Sequence, residues 1–180
     1  RTGEGQHIDM ALLDTQVAML ANLGANYLVA GQRDGKVPGR MGNAHQNVVP
    51  YQVFEVAPTN AGTRDYMILA VGNDSQFQRL CQALDRPDLA VDERFATNPQ
   101  RLAHKPALLA WLEPLLAAMS SNDVIAALEA SGVPVGAVVD IGHVLDAPAT
   151  RERAMIVDFQ RPDAATVRAA NTPWKIDGSA

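Results

Sequence analysis

The chain of 180 residues carries 47% hydrophobic and 19% charged side chains, a formal net charge of -5 and a pI near 5.3. That is enough apolar material for one core with room for a second small one, and the acidic balance excludes a protein whose main partner is a nucleic-acid backbone, where affinity rests on clustered Lys and Arg. No apolar run reaches the ~20 residues of a bilayer crossing, no signal peptide opens the chain, and Cys81 has no second cysteine to pair with, so we expect no membrane partner and a cytoplasmic or organelle-matrix setting.

The chain begins at Arg1 without an initiator Met and stops at Trp174-Lys175-Ile176-Asp177-Gly178-Ser179-Ala180, just after strand-like sequence, so a longer parent is expected. Leu13, Val17, Leu20, Gly24 and Tyr27 recur at intervals of three and four, which predicts one helix over residues 9–30. Its other face carries Asp14, Gln16, Asn22 and Asn26, milder than a fully solvated surface, and packing on both sides or against a partner chain is expected. Residues 31–49 hold glycines and prolines without periodicity and read as a linker.

Within that linker and the strand after it, Gly39-Arg40-Met41-Gly42-Asn43-Ala44-His45-Gln46-Asn47-Val48-Val49-Pro50-Tyr51-Gln52-Val53-Phe54 packs turn residues and uncharged polar side chains into one connection. Glycine at 42 tolerates close ligand approach, and Asn43, His45, Gln46 and Asn47 suit a loop over a polar substrate. The alternative is a surface turn capped by its own amides.

Residues 51–56 alternate like a half-buried strand, and 65–71 read as its more buried antiparallel neighbour across a turn with Pro58, Asn60 and Gly62. Ser75 with Gln78 has capping-box spacing, followed by the stripe Phe77, Leu80, Cys81 and Leu84, on which Cys81 is expected to be a buried, inert thiol. Leu109, Leu112, Leu115 and Leu116 predict a helix over 106–119 with Pro114 bending it. Ser120 and Asp123 start another helix that Ser131-Gly132 closes. Residues 133–139 read as a buried strand edged by Pro134, and Asp140 as an N-cap before Ile141 and Val144. The order strand, strand, helices, strand predicts a small α+β domain over residues 50–145. Residues 146–180 form a return segment: a short helix near Arg151, a strand over 155–159 and a turn at Pro162-Asp163.

Candidate chemistry in these residues is sparse. His7, His104 and His143 have no partner nearby in sequence, Asp9 and Asp14 stand alone, and Arg151 and Arg153 flank Glu152 as a surface cluster would. No zinc spacing, P-loop or Gly-x-Gly-x-x-Gly occurs. A nucleophile needs a base or a lowered pKa beside it, and no Ser-His or Cys-His spacing supplies one, so the residues alone name no catalytic group.

Four ordered motifs change this picture. Thr2-Gly3-Glu4-Gly5-Gln6-His7-Ile8-Asp9, Gly42 to Phe54, Ala70-Val71-Gly72-Asn73-Asp74-Ser75-Gln76-Phe77, and Gly132-Val133-Pro134-Val135-Gly136 resemble the class III CoA-transferase (CaiB/BaiF) family over nearly the whole chain. Ala25-Asn26-Tyr27-Leu28 and Val49-Pro50-Tyr51-Gln52 look most like its dicarboxylate-using, glutarate-type members. The resemblance implies that residues 1–30 are the terminal helix of a large Rossmann-like α/β domain, that the small α+β domain follows the linker, and that two full-length chains interlock as a homodimer. It implies acyl-CoA and carboxylate substrates, no permanently bound cofactor or metal, and an Asp nucleophile that forms an anhydride and then a CoA thioester. The family places that Asp upstream of the position of Arg1, so no catalytic residue is expected within this chain, and the chain alone is expected to be inactive.

Where formyl-CoA transferase has a run of glycines over its active site, the matching stretch here is His45-Gln46-Asn47-Val48-Val49, stiffer and more polar. The resemblance therefore implies that Gly42, Asn43, His45, Gln46 and Asn47 bind substrate. Two alternatives stay open: a 2-methylacyl-CoA racemase on the same fold, which an acidic side chain in the linker would favour, and a non-catalytic acyl-CoA-binding or assembly module. The linker offers Asp34 but nothing acidic between Lys36 and Phe54, so transfer is preferred.

Overall fold

The computed structural model of the chain describes residues 3–5, 7–60, 63–163, 165–173 and 175. Thr2, Gln6, Gly62, Trp174 and residues 176–180, which figure in the motifs and turns above, lie outside the described residues.

The amino-terminal helix is segmented rather than continuous. Residues 9–11 are not helical; α1 (Leu12–Met19) and α2 (Ala21–Asn26) meet at Leu20, a wider π turn spans Tyr27–Gly31, and α3 (Gln32–Asp34) ends at Gly35, whose φ of +66° is the left-handed stop that glycine provides. The expected helix over 9–30 therefore starts later and its helical turns run on to Asp34. The π turn is tight around Gly31, whose carbonyl accepts from the Lys36 N–H at 2.7 Å. A Cβ there would come within 2.4 Å of the Lys36 oxygen, which accounts for the glycine.

The apolar stripe of this helix is exposed over its first two turns, while Gly24 and Tyr27 are half-buried. Leu12, Leu13, Val17 and Met19 are 60–85% exposed, as are Leu28 and Val29 on the π turn. Single exposed apolar residues are ordinary, but a contiguous set on one element marks a surface made for association.

The core lies in the following α+β body. β1 (Tyr51–Val56) pairs antiparallel with β2 (Asp65–Ala70), Tyr51 opposite Ala70 and Val56 opposite Asp65, and β2 pairs antiparallel with β3 (Val135–Val138), giving the order β1-β2-β3. Alternation in β1 buries Gln52, Phe54 and Val56 on one face. Helices cover that face: α4 (Asp74–Ala83) turns in Phe77, Leu80 and Cys81, and Leu84 just after it is buried as well. α5 (Pro87–Ala90) and α6 (Asn98–Ala103) follow, each with proline in its first turn. α7 (Lys105–Ala117) buries Leu108, Leu112 and Leu116, and α8 (Ser121–Ala130) buries Val124 and Leu128. α9 (Ile141–Asp146), α10 (Pro148–Glu152) and the separate hairpin β4 (Ile156–Gln160) with β5 (Thr166–Ala170) complete the chain.

Several expectations need correction. The cap of α4 is Asn73, whose side chain accepts from the Gln76 N–H at 2.9 Å while Gln76 Oε1 accepts from the Gly72 N–H; the box sits two residues earlier than Ser75 and Gln78, and Ser75 instead donates its hydroxyl to Asn73 Oδ1 at 2.8 Å. Ser120 occupies the N-cap of α8 without a side-chain cap bond. Leu108, not Leu109, completes the buried stripe of α7, and Pro114 lies inside that helix as expected. β3 is an edge strand with Val138 48% exposed rather than a buried one, as Pro134 hinted. α5, α6 and β5 carry too little periodicity to be seen in sequence; Pro162 and Asp163 turn the β4-β5 hairpin. Residue 132 closes α8 as expected: at φ +66°, its N–H donates to the Glu129 carbonyl and the Val133 N–H to the Leu128 carbonyl.

Leu112 has no exposed surface and lies in the α7 face toward the sheet. Leu112→Ala is expected to destabilise the protein by about 2–5 kcal/mol, read as a lower urea midpoint at unchanged slope.

Candidate functional site

The polar loop is built from both of its sides. On one side, Met41 and Ala44 close a turn, with the Ala44 N–H donating to the Met41 carbonyl across Gly42, whose φ is +64°. The His45 N–H then donates to the Tyr51 carbonyl at 2.8 Å, and the imidazole stacks on the Tyr51 ring at 5.1 Å between centroids and 20° between planes. The loop thus begins where β1 begins, and its first polar side chain lies against the strand's first aromatic ring.

The helix supplies the other side. Asn22 and Asn26, four apart and so on one face of α2, reach the loop. The Asn26 side-chain NH2 donates to Gln46 Oε1 at 3.0 Å, and the Asn47 side-chain NH2 donates to Asn26 Oδ1 at 3.0 Å. The His45 ring is fixed by both its nitrogens. The Asn47 backbone N–H donates to Nδ1 at 3.0 Å, so Nδ1 holds the lone pair and the ring proton sits on Nε2. Nε2 lies 3.1 Å from Asn22 Nδ2; with the ring proton on Nε2 these would be two donors face to face, and turning the Asn22 amide over gives Nε2–H the amide oxygen as acceptor. Gln46 Oε1 is occupied, while its NH2 group makes no hydrogen bond among the described residues and is left as a donor.

Asn22, Leu23, Asn26, Met41, Gly42, Ala44, His45 and Gln46 line one cavity of about 230 Å³. It holds uncharged donors, an imidazole, the apolar side chains of Leu23, Met41 and Ala44, and no carboxylate. Such a lining can orient and hydrogen-bond a carbonyl or carboxylate oxygen; it holds no carboxylate nucleophile, and both nitrogens of its imidazole already face hydrogen-bonding partners.

Of the expected substrate-binding residues, Gly42, His45 and Gln46 therefore share a cavity. Asn47 lies behind them, bonded to Asn26. Asn43 is separated from the group and lines a different depression of about 440 Å³ beside Glu55, Tyr66 and Glu113. Asn22 and Asn26 are the site residues that the sequence did not single out, although two uncharged amides one turn apart on an otherwise apolar helix are the signal that marks them.

The remaining candidates fall to structural roles or to solvent. Asp140 caps α9, accepting from the His143 N–H at 2.8 Å. His104 places Nδ1 2.9 Å from the Gln100 carbonyl. His7, Asp9 and Asp14 are exposed. Arg151 faces Asp146 at 3.6 Å with both side chains mostly exposed, an ion pair of little energetic weight. Among the described residues, no group of three or more His, Cys, Asp or Glu could hold a metal ion, and no helix is long and apolar enough to cross a membrane.

With this geometry in place, the comparisons give the family. The sequence model of CoA-transferase family III matches residues 1–180. The chain is 43% identical over 173 residues to a succinate–glutarate CoA-transferase of Agrobacterium fabrum, covering 96% of this chain and 41% of that one. It is 33% identical over 157 residues to an acetyl-CoA:oxalate CoA-transferase of Acetobacter aceti, covering 87% and 38%. The crystal structure of a CaiB/BaiF family protein from Brucella suis superposes with a TM-score of 0.71 at 41% identity, over 99% of this chain and 43% of that one. The chain belongs to CoA-transferase family III, and it spans about two-fifths of the length of these relatives.

Cys81 lies apart from this site. Burial is the main cause that pushes its thiol up to about 11, with Arg101 pulling weakly the other way. At pH 8 only about one thiol in a thousand is then thiolate. Cys81 is expected to react with Ellman's reagent at pH 8 only as the protein unfolds; rapid stoichiometric labelling of the native protein would contradict this placement.

Proposed function

We propose that this chain is the middle of a CoA-transferase that moves CoA between an acyl-CoA and a dicarboxylic acid, and that it contributes the wall of the active site facing the acyl group. The single observation that carries this reading is the cavity between α2 and the loop, where His45 and Gln46 are held by Asn22 and Asn26 and the Gln46 NH2 is left over as a donor. The relatives act on succinate and glutarate, or on oxalate, by their names, which supports a short dicarboxylate as acceptor. An uncharged cavity of this size has room for a small acyl group and none for a nucleotide.

The chemistry follows from the family resemblance, which implies an Asp nucleophile supplied by a segment outside this chain; a cavity lining without a carboxylate is consistent with it. The Asp carboxylate attacks the thioester carbonyl and expels CoA thiolate, leaving a mixed anhydride; the thiolate then attacks the aspartyl carbonyl, releasing the donor acid and leaving an enzyme thioester. The acceptor carboxylate repeats both steps in reverse. Each attack pushes negative charge onto a carbonyl oxygen, and positioned neutral donors stabilise that oxygen without having to reorganise. The linker has no acidic side chain between Lys36 and Phe54, which favours transfer over racemisation.

The exposed apolar face of α1 and the greater length of the relatives support residues 1–30 as the last helix of a large domain, residues 31–49 as linker, 50–145 as the small domain and 146–180 as the return, with a homodimer of full-length chains. CoA thioester enters as substrate and not as a resident cofactor, and the setting is cytoplasm or organelle matrix.

The test uses the full-length protein with succinyl-CoA and a panel of dicarboxylic acids. Gln46→Ala is expected to lower kcat by about 10²-fold or more, the usual loss for one oxyanion donor, with His45→Ala lower as well. Unchanged transfer kinetics in Gln46→Ala would rule out the assignment of the loop to the acyl group.

A further inference from the structure

Behind the loop, on the side away from the cavity, lies a polar cluster that the reading above does not use. Arg101 is entirely buried and spends its guanidinium on three oxygens: Nε donates to the Val49 carbonyl at 2.7 Å, Nη1 to the Phe95 carbonyl at 2.9 Å, and Nη2 to Asp74 Oδ1 at 2.8 Å, with its Cζ 4.4 Å from the centroid of the Phe77 ring. The same Asp74 oxygen accepts from the Asn98 N–H at 2.8 Å. Asn98, at the start of α6, is thereby set by its backbone, and its side chain reads two positions of the loop. Oδ1 accepts from the Val49 N–H at 3.1 Å, and Nδ2 donates to the Asn47 carbonyl at 2.7 Å.

A side chain that accepts from residue i+2 and donates to residue i of the loop has to carry both functions on one short amide. Asp has no donor, Ala has neither group, and Gln is one carbon too long for the same placement. The Val49 N–H and carbonyl and the Asn47 carbonyl are then all claimed from one side, and the Pro50 carbonyl accepts from the Val71 N–H at 3.0 Å. The side chains of His45, Gln46 and Asn47 are left to turn the other way, toward α2.

We propose that Asn98 is a positioning residue for catalysis: seated on Asp74 and backed by Arg101, it fixes the backbone of residues 47–49 and so sets where His45 and Gln46 meet the acyl group. This inference rests on the reading of the loop given above. Asn98 lines neither the cavity of the loop nor the one beside Asn43, so it acts on substrate only through the loop.

The test is a mutant cycle in the full-length protein with Gln46→Ala, Asn98→Ala, Asn98→Asp and the Gln46→Ala/Asn98→Ala double variant. A misplacement near 1 Å costs on the order of 10²-fold in rate, so Asn98→Ala is expected to lose 10- to 100-fold in kcat. Asn98→Asp keeps the acceptor for Val49 and loses the donor to Asn47, and should fall between it and the wild type. Because both changes act through one group, the double variant should turn over within about twofold of the slower single variant, whereas independent effects would multiply. Multiplicative losses, or an Asn98→Ala enzyme at wild-type speed beside a slow Gln46→Ala enzyme, would overturn the positioning role alone. Wild-type speed in Gln46→Ala would overturn the loop reading and this inference with it. If Asn98→Ala fails to fold, Asn98→Asp carries the same cycle; failure of both to fold would assign Asn98 to folding only and overturn the proposal.

Discussion

One buried guanidinium holds the geometry of this chain together. Arg101 has no exposed surface, and a charge so placed is tolerable only when its hydrogen bonds are met by oxygens already in position. Those oxygens come from three places distant in sequence: the end of the polar loop at Val49, the turn before α6 at Phe95, and the start of α4 at Asp74. The loop, the first strand and the amino ends of two helices therefore cannot move independently without stranding the charge. A loop of glycine, asparagine and histidine would ordinarily be a mobile surface segment; this one is the rim of the folded body.

From that constraint follows the division of the loop into two faces. Its main chain is spent backwards, on Asn98, Arg101 and β1, while its side chains are spent forwards, on Asn22 and Asn26 of α2. Preorganised donors are effective because they pay no reorganisation when charge develops. Here both nitrogens of His45 and the oxygen of Gln46 are committed before any ligand arrives. The cost is that the cavity depends on α2 staying where it is, between α1 and a π turn whose apolar side chains are largely exposed.

Sequence and structure agree where periodicity is strong and part where it is short. The β1-β2 hairpin, the Phe77-Leu80-Cys81 stripe and the glycine that ends α8 were legible because each is a repeated or stereochemically forced pattern. α5 and α6 were not, since a helix of four or six residues opened by proline shows no period to read. At the site, the loop stood out by composition and by its resemblance to a family motif. Arg101 and Asn98 did not: in sequence, an arginine among Asn, Pro and Gln looks like solvated surface, and nothing local reports that Val49 waits some fifty positions away. Asn73 and Gln76 displaced Ser75 and Gln78 as the cap of α4 for a related reason, because two candidate boxes overlapped and only the backbone at Gly72 decides between them.

The claim that the polar loop belongs to the folded body is tested most directly by native-state amide hydrogen exchange in the full-length protein. The His45 and Val49 amides, bonded to the Tyr51 carbonyl and to Asn98 Oδ1, are expected to exchange as slowly as Leu69 in the central strand. Exchange of both at the rate of Gly39 in the open connector would contradict the account.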